Sequence, residues 1–162
     1  MASCKVVYAS IADLTCTLAS LATGNARGVA AVDNTTDLYI DALCQFRVKT
    51  GTGTSATSVV NFYAVGSLDN SALFPDGWAG TNAAVTQIVP PNSVLVYTLA
   101  CPTASTSYIT EVFSIAKGLS PIFGGILPPY WGLIVANTSG STLSSTEGDH
   151  LKKFTGVYYS IA

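Results

Sequence analysis

Between Leu38 and Lys49 the chain alternates. Leu38, Ile40, Ala42, Cys44, Phe46 and Val48 fall on one side of an extended backbone; Tyr39, Asp41, Leu43, Gln45, Arg47 and Lys49 fall on the other. Successive side chains of a strand point to opposite faces, so this period of two predicts a strand with one buried face. Leu43 is the single apolar residue on the polar side. A helix would scatter the same apolar residues around its circumference.

The rest of the chain repeats short strands between stiff corners. Phe123 to Ser145 shows the unit most fully: a bend built by Gly124, Gly125, Pro128 and Pro129, an apolar run from Trp131 to Ala136, and a Ser/Thr/Gly turn. Glycine and proline there exclude a helix or a central strand. Val59 to Val65 is apolar on both sides except at Asn61, which suits the middle of a sheet. Shorter strands are predicted over Cys4–Ala9, Leu14–Leu18, Gly28–Val32, Val85–Val89, Val94–Ala100 and Tyr108–Ala116, with Ile109, Phe113 and Ile115 on one face. Leu151 to Ile161 closes the series, with Val157, Tyr159 and Ile161 on its apolar face. No amphipathic helix and no fixed-period repeat stands out. The prediction is an all-β chain: one antiparallel β-sandwich domain over residues 1–162, jelly-roll-like, of about eight to ten strands. Residues 1–20 are expected to form a docking arm or an edge strand.

Charged residues are 10% of the 162, against roughly a quarter in an ordinary soluble domain. A surface this poor in charge predicts cover by partner subunits, with a dimer or trimer of the chain itself among them. Lys152–Lys153 is the only adjacent basic pair, so no patch suits nucleic acid. No apolar run reaches membrane-spanning length, and the N-terminus carries no pattern of an export signal. Reduced thiols are therefore expected at Cys4, Cys16, Cys44 and Cys101, with Cys44 filling the core. A Cys4–Cys16 bridge would require their segments to pair as a hairpin.

Few residues invite chemistry. His150 is the only histidine, and no Gly-x-Ser-x-Gly elbow is present, so no catalytic residue is assigned and no enzyme is expected. Asp33, Asp37 and Asp41, or Glu147 with Asp149, lack the spacing of a calcium loop, and neither a metal nor a cofactor is expected. Trp78 and Tyr130 lie at loops, where an aromatic ring either caps the core or contacts a partner; Trp131 is read as core under the proline corner. The candidate interaction residues are Cys4, Val6, Tyr8, Leu14, Phe74, Trp78 and Tyr130.

Ala31–Leu43 (Ala-Val-Asp-Asn-Thr-Thr-Asp-Leu-Tyr-Ile-Asp-Ala-Leu), Phe123-Gly-Gly-Ile-Leu-Pro, Trp131-Gly-Leu-Ile-Val-Ala-Asn-Thr-Ser-Gly and Glu147-Gly-Asp-His resemble segments of small structural proteins of tailed bacteriophages. The resemblance implies a compact β-sandwich in the virion, assembled in the host cytoplasm without export. The leading expectation is a capsid decoration or cement protein on the capsid exterior, bound to the major capsid protein or other virion subunits. A neck or tail adaptor, or a fibre-attachment protein, is the structural alternative. A carbohydrate-binding sandwich using Trp78 and Tyr130 is the alternative of another class.

Overall fold

The computed structural model describes residues 3–53, 58–70, 73–116 and 126–161. The Gly124–Gly125 bend and the middle of the Thr50–Ser58 loop lie outside them. Two antiparallel sheets face each other. Sheet I holds β1 (Cys4–Tyr8) and β2 (Ala12–Asp13) on one edge, then β12 (Leu151–Ile161), β5 (Asp41–Lys49), and finally β9 (Ser107–Ile109) with β10 (Phe113–Ser114). Sheet II runs β7 (Ala84–Val85), β3 (Asn25–Gly28) with β4 (Val32–Asp33), β11 (Tyr130–Thr138), β6 (Val59–Ser67) and β8 (Val94–Ala100).

Three of these edges or lines are single strands broken by one surplus residue. From Tyr8 to Ala12 the chain advances four residues, while its partner moves three, from Val157 to Phe154. The same excess separates β3 from β4 on β11 and β9 from β10 on β5. Each is a bulge, and each flips which side chains face inward. Joined across the bulges, the twelve segments become eight long strands plus the short β7. The first then pairs with the eighth, the second with the seventh, the third with the sixth and the fourth with the fifth. This nested order is of the jelly-roll kind.

The main core lies between the sheets. Ala42, Cys44, Phe46 and Val48 of β5 face Val60, Phe62 and Ala64 of β6 and Trp131, Leu133 and Val135 of β11. Phe46 and Phe62 meet at 4.7 Å between ring centres, and Trp131 packs edge-on against Phe154. A second cluster covers the outer face of sheet II, where the 73–93 segment folds back over Ala26, Tyr63, Val65, Ile134 and Ala136. That second layer explains why β11 is buried from Trp131 to Asn137 and why β6 is apolar on both sides.

Several expectations need correction. Leu38 does not join the inward row; it sits in a turn at φ 52° and is 69% exposed, and β5 starts at Asp41. Leu14–Leu18 forms no strand, although Leu14, Cys16 and Leu18 are buried, and the only β-structure nearby is Ala12–Asp13. Val85–Val89 shrinks to Ala84–Val85. Ile109 points outward while Phe113 and Ile115 point inward, because the bulge between them reverses the alternation. On β12 the inward row is Phe154, Gly156 and Tyr158, with the Tyr39 ring against Gly156 and beside Tyr158. Tyr159 and Ile161 lie on the outer face, exposed, with Val157 between them and the strand's middle.

Candidate interaction surface

One end of the sandwich holds a polar cleft of about 710 Å³, walled by Ser20, Thr50, Gly51, Ser141, Thr142 and Ser144 among others. Its loops are fastened from below. Asn137 is fully buried; its Nδ2 donates to the carbonyls of Leu21 and Ser141, each at 2.8 Å, and its Oδ1 accepts from the N–H of Ser139. Three hydroxyls of the wall are likewise engaged: Thr50 donates to Thr103, Ser141 to the Thr52 carbonyl, and Ser144 to Asp149. These three are satisfied by the protein itself and hold the loops together.

Next to the cleft, a charged cluster ties the Leu14–Leu21 connector to the start of β12. The Glu147 carboxylate accepts from the N–H groups of Leu18 and Ala19 at 2.9 and 2.8 Å and pairs with Lys152. Arg47 donates to the carbonyls of Gly148 and Asp149, closing the 3-10 turn Glu147–Asp149. Both ring nitrogens of His150 are committed to backbone: Nδ1 accepts from Lys49 N–H at 3.3 Å, and Nε2 faces the Ser144 carbonyl at 3.2 Å, which makes Nε2 the protonated nitrogen. A buried imidazole held at both nitrogens is a latch between loops. Burial pushes its pKa below 6.5, against the raising influence of Ser144 and Glu147.

The cluster predicts an acid limb of stability. Burial alone would raise Glu147, but Lys152 and the Ala19 and Leu18 N–H groups outweigh it and hold the carboxyl below 4.5. Both groups thus bind protons more readily in the unfolded chain. The His150 contribution is complete above pH 6.5 and is lost as the pH falls from there through its folded value. Glu147 adds its own loss below pH 4.5. Urea midpoints are expected to be flat from neutrality to about pH 8, below the range in which the buried thiols begin to ionise in the unfolded chain, and to decline in these two stages on acidification; a midpoint that rises on acidification would refute the assignment.

The thiols of Cys16, Cys44 and Cys101 are buried, and burial pushes Cys16 up to about 12, Cys101 up to about 11 and Cys44 up as well. None has the thiolate character a nucleophile or ligand needs. Cys4 is exposed and Cys16 buried, both free; β1 and β2 pair with β12 and not with each other. No group of three or more His, Cys, Asp or Glu among the described residues is placed to hold a metal ion.

The two outer faces of the sandwich differ sharply. That of sheet II is roofed by its own chain. The Trp78 indole lies flat over Gly28 and Gly132, donates from Nε1 to the Val29 carbonyl at 2.7 Å and meets Phe74 edge-on. Trp78 is only 1% exposed, and Leu14 is buried in the main core, so neither is a surface contact residue as sequence reasoning had it. Phe74 is half-buried against Trp78, and Tyr130 is half-buried at the start of β11, opposite Ser67 and Asp33. The outer face of sheet I has no such roof among the described residues. Cys4, Val6 and Tyr8 of β1 stand on it beside Tyr159 and Ile161 of β12, with Tyr8 63% and Ile161 79% exposed. Ile11 and Val112 rim a shallow groove farther along the same sheet, over Leu43 and Thr155. The structure therefore unites three of the seven sequence candidates and adds Ile11, Val112, Tyr159 and Ile161. The alternation of Tyr159 and Ile161 was visible in the sequence, but an apolar row signals burial without saying against what.

No family model, curated protein or solved structure matches the chain.

Proposed function

We propose that the protein is a non-enzymatic structural subunit of a tailed-phage particle, a decoration or cement protein that seats the outer face of sheet I on the capsid exterior. The observation that carries this reading is the asymmetry of the two outer faces. The chain spends its 73–93 segment on roofing sheet II and leaves Val6, Tyr8, Ile11, Tyr159 and Ile161 bare on sheet I. Clustered exposed apolar side chains mark interaction sites in soluble proteins. The low charge of the chain and the phage-like segments named above point the same way. The nested sandwich is found in viral coat and lectin domains alike, so the fold by itself does not choose between them. The glycan reading keeps only Tyr130, half-buried at the start of β11, because Trp78 has no face to offer a sugar ring.

A subunit that binds only the assembled shell stabilises it by mass action. The test is association with purified particles, followed by gel densitometry of copy number. Hundreds of copies per particle are expected of a cement and about a dozen of a neck or tail adaptor; absence from washed particles would sink the virion reading. Lysine at Tyr159 is expected to abolish binding while the fold survives, since its side chain is exposed. Deleting an arm through residue 18 would not be informative, because Leu14, Cys16 and Leu18 belong to the core.

A further inference from the structure

The outward edge of β1 has no partner strand among the described residues. We propose that it pairs with β1 of a second copy, antiparallel about a two-fold axis at Val6, joining two copies of sheet I into one continuous sheet.

The backbone already points the right way. The N–H of Ala9 donates to the carbonyl of Gly156, its opposite residue on β12. In an antiparallel ladder, opposite residues either exchange bonds or turn away, in alternation. Lys5 and Val7 thus bond to β12, while Cys4, Val6 and Tyr8 direct their N–H and C=O groups outward. Placing Val6 opposite the partner's Val6 sets Cys4 opposite the partner's Tyr8 and Tyr8 opposite the partner's Cys4. All three pairings join outward-directed residues, and the two-fold makes the contact self-complementary. The charges also agree: Lys5, the only charge on β1, falls opposite the partner's Val7, so no like charges face each other. Antiparallel addition of a strand to an exposed sheet edge is a common recognition mode, and a flat apolar edge left open invites it.

The contact is small. Five residues span about 17 Å of edge, so the buried area falls below the ~800 Å² per partner of a standard interface. The dimer is therefore weak in dilute solution and strengthens where copies are crowded. Edge pairing leaves the outer faces uncovered, so the joined sheet doubles the apolar surface described above. The pairing itself does not depend on what that surface binds.

The register is tested by cysteine trapping with oxidised glutathione in concentrated protein. In a Cys4→Ser background, Val6→Cys is expected to give a disulfide-linked dimer, since hydrogen-bonded opposite residues lie about 5.5 Å apart at Cα, within disulfide reach. Tyr8→Cys in the same background should stay monomeric, its two copies being roughly 14 Å apart. Tyr8→Cys with native Cys4 retained should link again. Equal trapping at all positions, or none at Val6→Cys, would overturn the proposal. Val6→Pro supplies a second arm: it removes an outward N–H and no bond to β12, so the fold should persist by circular dichroism. Sedimentation equilibrium should show self-association weakened about tenfold or more. A dimer indifferent to Val6→Pro would refute the edge contact. A wild-type chain that binds particles yet never self-associates would refute it too, leaving the particle reading intact.

Discussion

Replacing Trp78 with alanine is expected to destabilise the sandwich by about 3–5 kcal/mol. The indole is fully enclosed. It fills the space above Gly28 and Gly132, packs against Phe74 at 4.8 Å and satisfies the Val29 carbonyl. Alanine would leave a cavity and a buried carbonyl without its donor. A urea titration of the variant reads the loss directly, and a midpoint within error of wild type would show that the roof does not carry the load described. A double-mutant cycle sharpens the test. A Cβ added at Gly132 would sit 2.6 Å from the indole Cζ2, so Gly132→Ala should be costly in the wild type. In the Trp78→Ala background the obstruction is gone, and the same substitution should cost much less. Additive costs would mean that Gly132 is required for another reason.

The second large effect is expected at Asn137. Alanine there leaves the Ser139 N–H without its acceptor at a site closed to water, and takes one of two donors from the Leu21 and Ser141 carbonyls, which keep the Leu143 N–H and the Ser139 hydroxyl. An unsatisfied buried N–H costs about 1–3 kcal/mol, and the donor lost at each carbonyl adds to it, which places Asn137→Ala at roughly 2–4 kcal/mol. Aspartate keeps the shape but turns a donor into an acceptor facing two carbonyls. Asn137→Asp should therefore be worse than alanine near neutrality and should recover in part at acidic pH, when a protonated carboxyl donates again. Chemical denaturation at two pH values separates these outcomes. A variant as stable as wild type at neutral pH would contradict the role of Asn137 in fastening the cleft loops.

Much of the fold was legible because a strand writes its environment into every second residue. Ala42, Cys44, Phe46 and Val48 were read as one buried row, and they form it. Val59 to Val65, apolar but for Asn61, and Trp131 to Ala136 were read as inner strands, and both lie inside sheet II. The reading failed where the alternation changes phase. One surplus residue between Ile109 and Phe113 turns the first outward and the second inward; Glu111 on the apolar face and Val112 on the polar one interrupt the alternation there without saying that its phase reverses. Leu38 failed for a related reason: it extends the pattern by parity, but the Asn34 side chain binds both the N–H and the carbonyl of Tyr39, closing a turn before the strand begins.

The candidate surface was half legible. Val6 and Tyr8 were singled out on an expected arm, and they lie exposed on an edge strand. Trp78 could have been a contact or a core residue by its place in a loop; its burial depends on two glycines on separate strands, Gly28 and Gly132, far from it in the chain.

By itself the amino-acid sequence determined an all-β sandwich with inner strands in the right places, since periodicity and turn chemistry act over a few neighbouring residues. Only the tertiary structure decided which apolar rows are covered. Coverage depends on what another part of the chain brings to a face, and the 73–93 segment reaches the outside of sheet II while no described segment reaches that of sheet I.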